Sequence, residues 1–444
     1  MRSRFAPSPT GLIHVGNARS AVLNWAYVKK NKGKFILRID DTDILRSKKE
    51  FEIKIKENLN WLGIEWDETF NQSSRQKIYQ ENIKKLKELG RLYPCFETEE
   101  ELALKKKALL TSGKPPIYDR FSLKLTSEEL NKNLEQGKKP HWRFKLEDKI
   151  ISWVDLIKGE VFFDSKNLSD PVLIREDGSL LYHLPSVIDD ITENITDIIR
   201  GEDHISNTAY HIQIFKALGS SIPNFAHHPF LTDNKGRGFG KRIGSLSIES
   251  LKEEGYENIT LLNYLLNIGS SNDVIAEKNI EVLVNNFNLK NISSSSPKFS
   301  KEVLKSLNKD ILQSYKSNEI SFRIVELSNI LPQDQLWQFV KNNISFFLDI
   351  KNWIDVINSK NNVFEKNINK NFLDIAIETL PNEPFNEETW NTWTNLIKNK
   401  TGLKGKDLFM PLRIALTGKD KGPELKYLLP LLNKKMILKK FGKI

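Results

Sequence analysis

Between Gly16 and Val28 the apolar residues Ala18, Ala21, Val22, Trp25 and Val28 repeat at the i, i+3, i+4 spacing of one helical face. The run closes on Lys29, Lys30 and Gly33, the cations and glycine that favour a helix C-terminus. Before it stands a short apolar stretch, Arg4-Phe5-Ala6, and the proline-punctuated loop Pro7-Ser8-Pro9-Thr10-Gly11. After it comes Lys34-Phe35-Ile36-Leu37-Arg38-Ile39, ending on Asp40-Asp41-Thr42-Asp43. The pattern predicts a βαβ unit whose carboxylates sit at the carboxyl end of the second strand, where open α/β sheets bind ligands.

Further along, residues 48 to 62 read as an amphipathic helix stopped by Gly63, and 76 to 135 as a lysine-rich helical region. From 140 to 183 the period shortens to that of strands, with a hairpin signal at Asp177-Gly178 between Val172-Leu173-Ile174 and Leu180-Leu181-Tyr182. Ile195 to Arg200 reads as a return to the core sheet, and Ser206 to Leu218, stopped by Gly219, as its partner helix. The tract Ile292-Ser293-Ser294-Ser295-Ser296-Pro297 is the best linker candidate, because serine and proline cannot continue the helical pattern before it. Beyond it the chain reads as helical, including one helix from Leu336 to Ile354. The fold class expected is α/β: a Rossmann-type core split by an α+β insertion, followed by an all-helical C-terminal domain.

Length and charge narrow the functions. A chain of 444 residues is too long for one hydrophobic core. No stretch of about 18 apolar residues exists to span a bilayer, and the first residues lead directly into the loop at 7–11, leaving no room for a cleaved signal. A cytoplasmic protein without a membrane role is expected. The 67 Lys and Arg against 57 acidic residues give a net charge of +10, which draws the surface toward a polyanion, although a Lys- and Asn-rich composition produces the same number. The single Cys95 excludes internal disulfides and a multi-cysteine zinc site.

Three constellations carry candidate chemistry. Pro7 to Asn17 feeds His14 and Gly16 into a helix N-terminus, which places an imidazole and backbone N–H groups beside an anion such as a triphosphate. A histidine capping an ordinary helix fits the same residues. In Gly236 to Ser245, glycines surround Arg237, Lys241 and Arg242, as in a loop that brings cations over phosphates, or in a solvated basic loop. Arg200-Gly201-Glu202-Asp203 follows a strand, with Tyr182 and His183 upstream. Here arginine can grip a carboxylate and an acid can bind a ribose hydroxyl, although a surface ion-pair cluster reads equally well.

Together these stretches resemble the class I glutamyl-tRNA synthetase family, over essentially the whole chain. RFAPSPTGLIHVGNARSA looks like the family's "HIGH" region, RIDDTD its RIEDTD segment, YHLPSVIDD and ITDIIRGEDH its substrate wall, and GFGKR stands at the "KMSKS" position. GLKGKDLFMPLRIALTG, from Gly402 to Gly418, is similar to part of the bacterial anticodon-binding domain. The resemblance implies a catalytic domain over 1–75 and 184–235, an acceptor-binding insertion over 76–183, a KMSKS-like loop and stem-contact segment over 236–300, and a helical anticodon-binding domain over 301–444.

It also implies roles. Arg4 and Arg200 would pair with the glutamate side-chain carboxylate, with Ala6, Ser8, Asp40, Tyr182 and Ser186 around the rest of the amino acid. His14, Gly16 and Asn17 would meet ATP, Asp203 or Glu202 would lie near the ribose, and Lys241 with Arg242 would act on the departing pyrophosphate. The reaction implied is ATP-dependent formation of glutamyl-AMP, with Mg2+ and with tRNA present, then transfer to the 3′ end of tRNA for glutamate. Whether tRNA for glutamine is charged as well stays open, and a monomer is expected.

The sequence departs from the family in places. Asp40 replaces a usual Glu, Ser186 a common Asn, and Gly238 and Gly240 replace loop Lys and Ser. Some relatives bind zinc through paired cysteines where this chain has Cys95, Phe96 and Glu97, so no zinc is expected. The helical reading of 300–444 argues against both the short tRNA-modifying paralogue, which lacks an anticodon domain, and the glutaminyl enzymes, whose anticodon domains are β-barrels. A tRNA-binding homologue with weak or no synthetase activity remains the alternative, supported by the degenerate loop.

Overall fold

The computed structural model describes residues 1–233, 236, 246–328, 332–359 and 368–443. It divides into two compact units, residues 1–254 with 261–300, and residues 255–260 with 301–444.

In the first unit the expected βαβ start is present as β1 (Arg2–Phe5), α1 (Val15–Lys30) and β2 (Lys34–Ile39), with β1 and β2 parallel. Then follow α2 (Lys49–Trp61), β3 (Glu68–Asn71) and α3 (Gln76–Glu88). The segment after α3 holds β4 (Leu92–Cys95), α4 (Glu99–Thr111), α5 (Ser127–Glu135), β5 (His141–Phe144), β6 (Ile150–Asp155), β7 (Gly159–Asp164) and β8 (Val172–Ile174). The chain returns through α6 (His183–Thr192), β9 (Asp197–Gly201), α7 (Ile205–Ala217) and β10 (Asn224–His228), and continues with α8 (Ile248–Glu253), α9 (Asn258–Asn267) and α10 (Ile280–Asn286).

The main sheet has seven strands in the order β3-β2-β1-β9-β10-β6-β7, parallel except for the β6–β7 hairpin. Its central strands are buried on both faces, which explains why Phe35 to Ile39 reads as a continuous apolar run broken only by Arg38. Strands β4, β5 and β8 form a separate three-stranded sheet. The strands read between 140 and 183 are thus shared between two sheets. The turn at Asp177-Gly178 forms, with Gly178 at φ +85° and its N–H donating to the Arg175 carbonyl at 3.0 Å. Its second strand shrinks to a single bridge, Ile174 to Leu180, because the chain enters α6 directly after Tyr182.

Cys95 at the end of β4 is fully buried, and burial pushes its thiol pKa up. Beside it Glu97 Oε2 accepts from the Tyr118 hydroxyl at 2.7 Å and Ser122 Oγ at 2.9 Å, and Oε1 from Lys105 Nζ at 2.7 Å. Among the described residues no group of three or more His, Cys, Asp or Glu is arranged to hold a metal ion. No helix among them is long and apolar enough to cross a membrane.

The serine tract read as a linker is anchored within the first unit. Ile292 is buried, Ser293 N donates to the Gly269 carbonyl at 2.8 Å, and Thr232 N to the Pro297 carbonyl at 3.0 Å. Serine-rich composition allowed a flexible segment, but the backbone groups on both sides found partners.

The second unit is helical: α11 (Lys301–Ser314), α12 (Ser317–Leu327), α13 (Gln333–Val340), α14 (Ile350–Asn358), α15 (Lys370–Glu378), α16 (Glu387–Thr401), α17 (Lys406–Thr417), α18 (Leu425–Leu428) and α19 (Lys434–Lys440). Trp337 and Trp393 lie wholly inside its core, and each indole N–H is satisfied by a carbonyl, Tyr315 at 3.0 Å and Ala376 at 2.7 Å. The helix expected over Leu336 to Ile354 is two helices. Asp349 Oδ2 accepts from the backbone N–H of both Ser345 and Phe346 at 2.9 Å, so its side chain starts a new helix where the apolar period alone runs on.

Candidate active site

A pocket of about 620 Å3 opens at the carboxyl ends of β1, β2 and β9, beside the N-terminus of α1. That is the size of a small-molecule site. Ten of the residues singled out from sequence line it: Arg4, Ala6, Ser8, His14, Gly16, Asn17, Asp40, Tyr182, Arg200 and Asp203.

Its floor is a buried network of opposite charges. Arg4 Nε and Nη2 donate to Asp190 Oδ1 and Oδ2 at 2.8 and 3.2 Å. Arg38 Nη1 donates to the same Asp190 Oδ1 at 3.1 Å and to the Ser186 carbonyl, while its Nε and Nη2 donate to Asp40. Although burial pulls the Arg38 guanidinium down, the two aspartates hold its pKa above the ordinary value. Ser186 lies behind the pocket wall: it is fully buried, and its Oγ accepts from Arg38 Nη2 at 3.1 Å.

Arg200 differs from the other two arginines in having only neutral acceptors. Nη1 donates to the Tyr182 hydroxyl at 3.0 Å, Nη2 to Thr208 Oγ1 at 2.6 Å and to the His204 carbonyl at 3.3 Å, and Nε to His227 Nε2 at 3.3 Å. Burial without a carboxylate in contact lowers its pKa. Arg4, Arg38 and Arg200 against Asp40 and Asp190 leave this cluster with one net positive charge, next to open volume. A buried cation in that position suits an anion brought in from solution.

At the other end of the pocket His14 caps α1. Its Nδ1 accepts from Gly16 N at 3.1 Å and Asn17 N at 3.4 Å, and burial lowers its pKa, so the neutral ring carries its proton on Nε2. Capping and ligand binding therefore use different nitrogens of one ring. A Cβ on residue 16 would stand 2.9 Å from His14 Cε1, which makes glycine a requirement of this cap. The loop before it is fixed from β2 and from the start of α2, by Asp40 N to the Pro7 carbonyl at 3.0 Å and Lys48 N to the Pro9 carbonyl at 2.9 Å.

Glu202 is not brought into the pocket. Its carboxylate takes Lys158 Nζ at 2.6 Å and Phe230 N at 3.1 Å, so of the two candidate ribose acids only Asp203 borders the cavity. Arg237, Lys241 and Arg242 lie outside the described residues. On their two sides Thr232 bridges Lys298, and Ser247 bridges His14.

Sequence reading missed Arg38, Asp190, His204, Thr208 and His227. Arg38 carried a signal, since it is the one charged residue inside an apolar strand and lies two residues before Asp40, on the same face. Asp190 sits on α6, a helix the strand reading of its surroundings concealed.

Residues 1–306 match the family model described as "tRNA synthetases class I (E and Q), catalytic domain", and residues 296–444 match an "Anticodon binding domain". The chain is 46% identical over 439 residues to a protein of Rickettsia canadensis named "Glutamate--tRNA ligase 2", covering 99% of this chain and 98% of that one. A Rickettsia felis protein named "Glutamate--tRNA ligase 1" gives the same identity and coverage. Among solved structures it superposes on a glutamate-tRNA synthetase from Elizabethkingia anophelis with a TM-score of 0.86 at 27% identity, covering 100% of this chain and 99% of the other. On a glutamate tRNA ligase from Elizabethkingia meningosepticum, solved in complex with its amino acid, the TM-score is 0.88 at 28% identity, with 100% and 98% covered.

Proposed function

The chain belongs to the class I tRNA synthetases of the E and Q family, and from that premise we propose that it is a glutamate--tRNA ligase. The observation that carries the choice of amino acid is Arg200: a buried guanidinium, facing the pocket, whose protein partners are all neutral. Glutamate has a net charge of −1, equal and opposite to that of the cluster beneath it.

In this reading Arg200 and Arg4 receive the side-chain carboxylate, and Asp40 accepts from the ammonium group. Ala6, Ser8 and Tyr182 surround the amino acid, and Ser186 acts from behind by holding Arg38. ATP lies along the α1 end, with His14 Nε2–H, Gly16 and Asn17 toward its phosphates and Asp203 toward its ribose. A glutamate α-carboxylate oxygen attacks the α-phosphorus, the bond to the β-phosphate oxygen breaks, and pyrophosphate leaves with its charge met by Lys241 and Arg242. The tRNA 3′-terminal hydroxyl then attacks the activated carbonyl carbon and AMP departs. Mg2+ enters on the ATP phosphates, and the steps assigned to the protein run through side chains alone.

We further propose tRNA for glutamate as the acceptor with tRNA for glutamine beside it, a requirement for tRNA during activation, and a monomer working in the cytoplasm. ATP–pyrophosphate exchange with glutamate, with and without tRNA, tests the reading: no exchange at high enzyme concentration leaves only a tRNA-binding homologue. Charging the two purified tRNAs side by side decides the acceptor.

A further inference from the structure

Arg200 reaches past the pocket wall to a pair of side chains that line no part of it. His227 on β10 is the register partner of Arg200 on β9, and Asp155 closes β6, the next strand over. Both side chains are fully sealed from solvent, with His227 Nδ1 and Asp155 Oδ2 2.5 Å apart. The other carboxylate oxygen, Oδ1, accepts three backbone N–H groups, from Ile157 and Lys158 at 3.0 Å and from His227 at 3.1 Å. That oxygen is fixed, so Oδ2 is fixed toward the ring.

A carboxylate facing Nδ1 places the imidazole proton there and leaves Nε2 as a lone pair. Nε2 is the atom that meets Arg200 Nε at 3.3 Å and Thr208 Oγ1 at 3.0 Å. Arg200 Nε–H can only donate, so the opposite tautomer would set two donors against each other in a dry site. The imidazole also separates the Asp155 charge from Arg200. A carboxylate touching Arg200 directly would fix the guanidinium as firmly, but it would form an internal ion pair and consume the charge that the ligand needs.

We propose that Asp155 and His227 are positioning residues for glutamate recognition: Asp155 sets the His227 tautomer, and His227 orients Arg200 through a neutral acceptor that leaves its charge for the substrate carboxylate. The inference rests on the glutamate reading of the pocket and extends it to two residues that touch no substrate.

Four variants test it, His227→Ala, His227→Gln, His227→Glu and Asp155→Asn, with KM for glutamate and for ATP measured by tRNA-supported pyrophosphate exchange. His227→Ala should raise the glutamate KM about 10- to 100-fold, the scale of a misplaced charge-assisted hydrogen bond, with the ATP KM nearly unchanged. His227→Gln, whose amide oxygen can accept from Arg200 Nε, should recover most of that loss. His227→Glu should be worse than alanine, because it pairs with Arg200 internally. In Asp155→Asn the fixed oxygen keeps its three backbone donors and turns an NH2 toward the ring, so the tautomer should invert and glutamate use should fall. Nitrogen-15 NMR of the His227 ring in the full-length protein reads the tautomer without any assay.

Equal losses toward glutamate and ATP in His227→Ala, no rescue by glutamine, or a wild-type ring protonated at Nε2 would each overturn the proposal. Wild-type protein that exchanges no pyrophosphate with glutamate would instead overturn the functional reading, and the ring tautomer would still decide this one.

Discussion

Arg38 grips Asp40 with two parallel hydrogen bonds, Nε to Oδ1 at 2.6 Å and Nη2 to Oδ2 at 3.1 Å, and both side chains are almost wholly removed from water. Arg38 holds Asp190 as well, so it is the central cation of the pocket floor. Arg38→Ala would strand two buried carboxylates, and the expected cost is about 3 to 5 kcal/mol of stability, the scale for breaking a buried ion pair from one side. Urea unfolding of the first unit measures it. A loss below about 1 kcal/mol, the ordinary value of an exposed pair, would contradict a pocket floor built on Arg38.

Arg200→Ala should abolish productive use of glutamate while leaving tRNA affinity nearly intact, because the residue meets Tyr182, Thr208, His204 and His227 and lies inside the pocket. A charge-assisted hydrogen bond in a desolvated site is worth roughly 1.5 to 3 kcal/mol or more. Unchanged glutamate kinetics would remove Arg200 from the site.

Gly16→Ala should damage ATP use more than glutamate use. The added methyl would stand 2.9 Å from His14 Cε1 and 3.0 Å from Nδ1, so the ring must turn and give up its bonds to Gly16 N and Asn17 N. Losing such a cap costs about 1 kcal/mol of stability, which the protein should survive. The ATP KM should rise by about tenfold or more, since a misplaced Nε2–H no longer meets the nucleotide. An alanine variant with the wild-type ATP KM would show that His14 serves the helix alone.

Lys241→Ala should slow adenylate formation by about 100- to 1000-fold with little change in ATP affinity, the scale for losing one preorganised donor at developing charge. This expectation comes from the sequence of the glycine-rich stretch. Single-turnover formation of glutamyl adenylate across a range of ATP concentrations is the measurement, and a defect confined to apparent ATP affinity would make the residue a binding group only.

Acid should unfold the two units at different pH. All seven histidines fall in the first unit, and burial lowers the pKa of every one. His228, wholly buried, is pushed from 6.5 to about 3. Below pH 6.5 the unfolded chain binds protons that the folded chain refuses. Stability is therefore complete above that pH and is lost as pH falls toward 3, at about 1.4 kcal/mol per pH unit from His228 alone. The second unit has no histidine and lacks this term. Hydrogen exchange, corrected for its intrinsic pH dependence, should show residues 1–254 losing protection between pH 6 and 4 ahead of 301–443. Simultaneous loss in both units would contradict the assignment.

The sequence made the first β-α-β legible to within a residue or two, because one helical face and one buried strand have unmistakable periods. β2 begins and ends where the apolar run does, at Lys34 and Ile39. What it could not show were pairings between distant segments. Strand character from 140 to 183 was visible, but the split that sends β5 and β8 to one sheet and β6 with β7 to another depends on partners that no local pattern encodes. The pocket followed the same division. Residues in recognisable stretches, such as His14 and Arg200, were found, whereas Asp190 and His227 act by facing arginines far away in the chain. Glu202 shows the converse: its place beside Asp203 was legible, but its capture by Lys158 was not.

The β6–β7 hairpin sets limits on how this protein can be taken apart. A chimera that exchanged residues 76–183 as a cassette would remove two of the seven strands of the main sheet and, with Asp155, the group facing His227. Cut points that respect the hydrogen bonding would leave Ile150 to Asp164 with the recipient and exchange only the parts carrying β4, β5, β8 and the helices between them. Any graft of foreign acceptor-end specificity onto this scaffold thus requires two discontinuous insertions.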